Sequence, residues 1–197
     1  MSMDRDIEFL YEIGTLRFIS RLWLRFLNTG TANLAEHHLR VMWTALIIAE
    51  HEGAKNTEKI IKMALVHDIA ESRTGDADYI SRQYVERNED LGAKDMLKNT
   101  AIEKEFIAIR EEYEKKESKE ARIVKDADNL DIDLEIQEQK ARGNLLYKVW
   151  RDYRAYLAKN KYYTATGRKM AEEIWKSQPH DWHLKGRNRH NAGDWKN

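Results

Sequence analysis

Proline occurs once in this chain of 197 residues, at Pro179, and that scarcity constrains the fold more than any other feature of the sequence. Folds built from many short strands need frequent turns, which proline and glycine largely supply. Here apolar residues recur at intervals of three and four between dense charged positions, the signature of amphipathic helices. The chain is therefore expected to be all-α. Ile7, Leu10, Tyr11, Gly14, Phe18, Leu22 and Phe26 predict a first helix over residues 4 to about 27. A second spans about 34–52, with Leu39, Met42, Leu46 and Ala49 on one stripe and Val41, Ala45 and Ile48 beside it. Such a wide apolar face predicts burial on more than one side. Gly53 is the expected stop.

A third helix starts near Thr57 and runs into His67–Asp68. Shorter helices are expected over 77–90 and 101–117, the latter with Ile102, Phe106, Ile109 and Tyr113 inward, followed by a long one over 117–143. Two more are expected near 145–158 and 167–177. Periodicity is lost from Gln178 onward, which predicts one helical domain over 1–177 and an irregular tail over 178–197.

The 34 basic and 34 acidic residues cancel, so nothing in the net charge favours nucleic acid or an anionic membrane. The absence of cysteine excludes disulfides, thiolate chemistry and Cys-ligated metal sites. Apolar runs fall well short of the ~20 residues a membrane span requires, and the start, "MSMDRDIEF", lacks the order of a signal peptide. A soluble cytoplasmic protein is expected.

Chemistry is sought among ionisable residues that interrupt apolar faces. His37 stands one turn before the buried stripe of the second helix, His67 and Asp68 close the third, and Asp128 falls where Val124 points on the long helix. Imidazole and carboxylate together suit Mn, Fe, Co, Ni, Zn or Mg, and bundle helices can aim such groups at one point. Neighbours on a helix diverge by about 100°, so His67 and Asp68 can share an ion only where the helix ends. Taken singly, each is more often a hydrogen-bonded core residue than a ligand, and the spacing of all four leaves both readings open.

The order of the motifs narrows the choice. "EH" at 36–37, "HDIAESRTGD" at 67–76 and "VKDAD" at 124–128 resemble the HD-domain metal-dependent phosphohydrolases, and "HDxxExxxGD" is similar to their 5′-deoxynucleotidase subgroup. The resemblance covers roughly residues 15 to 135. It implies an HD-type helical bundle with one buried mononuclear site, a single divalent ion (Mn, Co, Mg, Fe, Ni or Zn) held by His37, His67, Asp68 and Asp128, and a nucleotide substrate. It implies that Glu71 handles the attacking water, that Asp76 stands in the substrate pocket as a further catalytic or ribose-holding acid, and that Trp23 lies against the nucleotide. Arg21 and Arg25 become candidates for phosphate or sugar contact, with Lys125 and Arg73 as further cations. A homodimer is also implied; no membrane or nucleic-acid partner is expected.

The chain departs from the subgroup pattern around Trp23, where Leu22, Phe26 and Leu27 occupy positions often held by arginine, and after "GD", where "ADY" replaces a nearby proline. The expected activity is hydrolysis of (deoxy)nucleoside 5′-monophosphates. The alternatives are a nucleotide pyrophosphohydrolase, a phosphodiesterase, another phosphomonoesterase, or a non-catalytic helical module with a structural metal. The last has no use for Glu71 and Asp76, acids beyond the ligand set.

Overall fold

The computed structural model describes residues 3–27 and 30–185. Among these the chain is helical throughout: α1 (Met3–Gly14), α2 (Leu34–His51), α3 (Thr57–Val66), α4 (Glu71–Thr74), α5 (Glu89–Leu97), α6 (Glu103–Lys115), α7 (Lys119–Ala141), α8 (Leu146–Lys161), α9 (Ala165–Lys176) and α10 (Asp181–Leu184). The 23-residue α7 forms the axis, packed by α2, α3, α6, α8 and α9. Val41, Ala45, Ile48, Ile60, Met63, Met96, Leu97, Ile123, Val124 and Leu130 fill the core between them.

Side-chain caps fix where most of the long helices begin. Asn33 accepts a hydrogen bond from Glu36 N at 3.0 Å while the Glu36 carboxylate accepts one from Asn33 N, a capping box that sets the start of α2 at Leu34. Asn56, Asn88, Ser118 and Thr164 cap α3, α5, α7 and α9 in the same manner. Gly53, at φ +62°, turns the chain away after α2.

Two buried acids of α7 fasten the C-terminal helices. Asp126 accepts hydrogen bonds from Tyr163 N, Thr164 N and Thr164 Oγ1 at 2.7–2.9 Å. The start of α9 lies so close that a Cβ on Gly167 would stand 2.5 Å from Asp126 Oδ2. Asp133 takes both arms of Arg154 at 2.7 and 2.8 Å, together with the Tyr162 hydroxyl and the indole N–H of Trp175. All donors of this cluster converge on a single carboxylate, which is how a buried charge is made tolerable.

Three expectations are corrected. The first helix ends at Gly14; beyond it lie two 3-10 turns, Thr15–Phe18 and Leu22–Arg25. Apolar spacing continues past Gly14, but the backbone there is committed elsewhere: Arg21 N donates to Ala32 O and Leu34 N to Ile19 O. Residues 77–90 hold no α-helix of their own before α5. Asp78 captures Ile80 N and Ser81 N and winds one 3-10 turn, Ser81–Gln83, while Asn88 starts α5. On α2 the Leu39 position faces outward, and its buried side carries His37, His38, Val41, Thr44 and Ala45 instead. The irregular tail holds the one-turn α10; residues 186–197 of it lie outside the described residues.

Candidate metal centre and substrate pocket

The four residues singled out from the sequence come together. One donor atom from each of His37, His67, Asp68 and Asp128 lies within 4.8 Å of every other. Three elements supply them: α2 presents His37, α7 presents Asp128, and the turn that ends α3 presents His67 and Asp68. Because α3 stops at Val66, the adjacent pair escapes the angular divergence that a continuing helix would impose.

Each imidazole is aimed by a partner on its far nitrogen. His37 Nδ1 lies 2.7 Å from Asp131 Oδ2, and His67 Nδ1 lies 2.8 Å from Ala64 O. Protons on both Nδ1 atoms leave two Nε2 lone pairs facing one another at 3.2 Å, with Asp68 Oδ2 3.3 and 3.6 Å away and Asp128 Oδ1 3.5 Å from His37. Lone pairs and carboxylate oxygens converging on one point fit a divalent cation, with the supporting bonds that metal-bound histidines require. Lacking a cation, a proton would have to serve. Burial and the Arg21 charge oppose it on His37, yet Asp131 and Asp68 raise the imidazole to about 9. Burial also works against ionised Asp128, but Lys125, 2.7 Å away, holds its carboxyl well below the usual range. Asp131 is in turn gripped by Arg40, which also spans to Glu138 at 2.9 Å.

Beside this centre Arg21 is enclosed by acids: its guanidinium stands 3.5 Å from Asp68, 3.6 Å from Glu71 and 3.7 Å from Asp76. None of these contacts is a hydrogen bond from Nε or Nη1, both of which are buried and unpartnered. Glu71 Oε1 accepts from Arg87 at 3.1 Å, whereas Glu71 Oε2 is buried with no hydrogen bond, its nearest cation being Arg21 Nη1 at 3.6 Å. Burial above all, with Asp68 and Asp76, raises the Glu71 carboxyl to about 8.

Two cavities open here. One of about 440 Å³ is bordered by Asp68 and Asp128 together with Arg21, Trp23, Arg82 and Lys125. A smaller one of about 270 Å³ shares Arg21, Trp23 and Arg82 and adds Asp76 and Tyr79. Trp23 sits in an aromatic cluster, 5.4 Å from Trp150 and 6.2 Å from Tyr79 between ring centres. Asp76 borders the smaller cavity and accepts a hydrogen bond from Leu22 N at 2.7 Å, tying down the turn that carries Trp23.

Other expected cations lie elsewhere. Arg25 is bound to Asp78 and Ser81 at 2.7 and 3.0 Å and borders neither cavity. Arg73 pairs with Glu12 of α1 at 2.6 Å. Sequence reasoning passed over Arg82, Arg87 and Lys116. Lys116 lies in the left-handed region at φ 54°, its ammonium 3.1 Å from the centre of the Tyr113 ring, and burial lowers it to about 8. No local signal marks these residues, which sit in turns or charged stretches that read as solvated surface. His38, next to His37 on α2, is buried against His67, with ring centres 4.8 Å apart.

An all-helical bundle in which α2, α7 and the turn after α3 bring two histidines and two aspartates to one point defines the class. The HD domain family matches residues 13–177, and the chain belongs to it. Among curated relatives it is 32% identical over 142 residues to the 5′-deoxynucleotidase HDDC2 of Danio rerio, covering 69% of this chain and 70% of that protein. It is 30% identical over 151 residues to the 5′-deoxynucleotidase yfbR of Photorhabdus temperata, covering 69% and 75%. Among solved structures, a conserved hypothetical protein from Pyrococcus furiosus superposes with a TM-score of 0.70 at 25% identity, covering 87% of this chain and 99% of that one. The PH0347 protein of Pyrococcus horikoshii gives 0.70 at 26%, covering 86% and 98%.

Proposed function

We propose that this chain is a metal-dependent phosphohydrolase that releases phosphate from nucleoside 5′-monophosphates, deoxyribonucleotides among them, in the cytoplasm. The observation that carries the reading is the convergence of unsatisfied groups beside the four-donor centre. Arg21 Nε and Nη1 and Glu71 Oε2 are buried and make no hydrogen bond, although the two side chains face one another at 3.6 Å, and a buried polar atom without a hydrogen bond costs about 1–3 kcal/mol. A bound phosphate and the water that attacks it would satisfy both. A divalent cation held by His37, His67, Asp68 and Asp128 would supply Lewis acidity to that water and neutralise a phosphate oxygen.

In the proposed reaction Arg21 pairs with phosphate oxygens, for which a guanidinium is well shaped. Glu71 Oε2 orients the water and takes its proton as the oxygen attacks phosphorus; the bond to the 5′ oxygen breaks, and that oxygen takes up a proton from solvent to leave as the nucleoside hydroxyl. Trp23 lies against the nucleoside. Asp76 stands on that side of the pocket, holding the Trp23 turn and facing the ribose. Arg25 acts at one remove, by anchoring Asp78 beneath Tyr79. Lys125 keeps Asp128 ionised. The test is phosphate release from a panel of ribo- and deoxyribonucleoside 5′-monophosphates with Mn, Co or Mg. Turnover of these in preference to nucleoside triphosphates, cyclic nucleotides and sugar phosphates is expected. Metal binding without phosphate release from any compound would overturn the reading.

We also propose a homodimer. On α2, Leu39, Trp43 and Ile47 occupy successive turns of one face and are 54%, 62% and 49% exposed, an apolar stripe that solvent would not favour. Light scattering should give twice the chain mass, falling to one chain mass on Trp43→Glu; a native monomer would refute it.

A further inference from the structure

On another side of α7 a groove of about 720 Å³ runs between α7, α8 and α9, within the roughly 300–1,000 Å³ typical of small-molecule sites. It shares no lining residue with the cavities at the metal centre. Its polar lining comprises five cationic side chains and one carboxylate besides a tyrosine and a tryptophan, in a chain whose formal charge is zero.

Among the described residues, four of those five cations lack an ion pair. Lys176 pairs with Glu173 at 3.0 Å. Lys140, Arg151, Lys159 and Arg168 have no carboxylate within ion-pair distance among the described residues. Lys140 instead donates to Gln137 Oε1 at 3.2 Å and lies 5.0 Å from the centre of the Tyr147 ring. Arg168 donates to the Tyr162 carbonyl at 2.7 Å. Elsewhere in the fold arginines and lysines are commonly matched, as in Arg40 with Asp131 and Glu138, or Lys62 with Glu58 and Glu105. Lys140, Arg151 and Lys159, together with Arg168, whose charge is shared with Asp126 and Glu52, surround one concavity and concentrate positive potential there.

The walls and floor suit a flat ring. Trp175 is held in orientation by its N–H to Asp133 at 3.1 Å, and Tyr147 faces the groove with Lys140 over it. Between them the floor is Ala155, Ala158 and Ala171, whose small side chains leave the space open. Aromatic side chains that stack on any base, beside cations that take phosphates, are the means by which proteins bind nucleotides without reading their sequence.

We propose that this groove is a second nucleotide site, which takes a nucleoside triphosphate: the base against Trp175 and Tyr147, the triphosphate along Lys140, Arg151, Lys159 and Arg168. It is independent of the reaction at the metal centre.

The test is calorimetric titration of the intact chain with ATP and with inorganic tripolyphosphate, in EDTA. ATP should bind saturably, and tripolyphosphate at least tenfold more weakly because it has no ring to stack. Arg151→Glu with Lys159→Glu, both at exposed positions of α8, should weaken ATP at least tenfold while the thermal melt stays in place. The milder pair Arg151→Gln with Lys159→Gln should give an intermediate loss. Arg21→Ala, at the other pocket, should leave ATP affinity within twofold of the native value. No saturable ATP binding would overturn the proposal. So would ATP binding that survives both α8 pairs but is lost in Arg21→Ala, and tripolyphosphate equal to ATP would overturn the stacking of the base. Each outcome is read without turnover, so it leaves the assignment of the catalytic reaction to its own assay.

Discussion

Asp68 and Glu71 lie three positions apart, yet their surroundings treat charge in opposite ways. Asp68 is held ionised despite burial, by His67, His37 and Arg21, as a metal ligand must be. Glu71 is pushed up to about 8, by burial and by two neighbouring acids, so that in its ionised form it is the stronger proton acceptor of the two. The two substitutions should therefore separate. Asp68→Ala should lose both bound metal, measured by elemental analysis, and phosphate release. Glu71→Gln should keep its metal while turnover falls by about 10²–10⁴-fold, the usual worth of a positioned acid–base group. Full metal in the first variant would remove Asp68 from the ligand set, and native turnover in the second would end the role given to Glu71. At this scale the four converging residues were legible, because "HD" and "KDAD" place three of them in a recognisable order after His37. Asp131 was visible only as one more polar position on the same face as Asp128. Arg40 and Arg87 were not visible at all: Arg40 meets Asp131 across 91 positions, and Arg87 meets Glu71 from an extended segment with no periodicity.

Elements were legible where local chemistry decides them. The starts of α2, α3, α7 and α9 follow from Asn or Ser/Thr caps ahead of amphipathic runs, and the long α7 follows from its unbroken spacing. Helix prediction failed where a distant group captured the backbone. Residues 19–21 pair with 32–34 and Asp76 holds Leu22 N, so the apolar rhythm after Gly14 describes packing in turns, not another helix. The α7–α9 contact carries its own prediction. Gly167→Ala would set a methyl 2.5 Å from Asp126 Oδ2, forcing apart the hydrogen bonds that anchor Thr164. Overpacking of this kind costs about 1–3 kcal/mol. Chemical denaturation should show a loss in that range with the slope unchanged, and a neutral result would mean that α9 can slide on α7.

For the whole molecule, the centre joins α2, the end of α3 and α7, so an ion bound there stabilises the folded state alone. Chelation should lower stability by about 2.7 kcal/mol when free metal had stood a hundredfold above its dissociation constant. For a chain of this size that is roughly 5–10 °C in melting temperature, and restored metal should reverse it; identical melts with and without chelator would contradict a site that spans three elements. Among the described residues no helix is long and apolar enough to cross a membrane. By itself the sequence determined the helical class and most helix starts, since caps and periodicity act over a few residues, and its motif order singled out the four residues that converge and Glu71 one turn beyond His67. Tertiary structure alone decided that Arg21 meets three acids with unused donors, that Arg25 and Arg73 are drawn off to Asp78 and Glu12, and that four cations without an ion pair among the described residues share one groove. Each of these depends on which side chains from distant segments come within a few ångströms, and the strength of a charge contact is set by that distance and by the water it excludes.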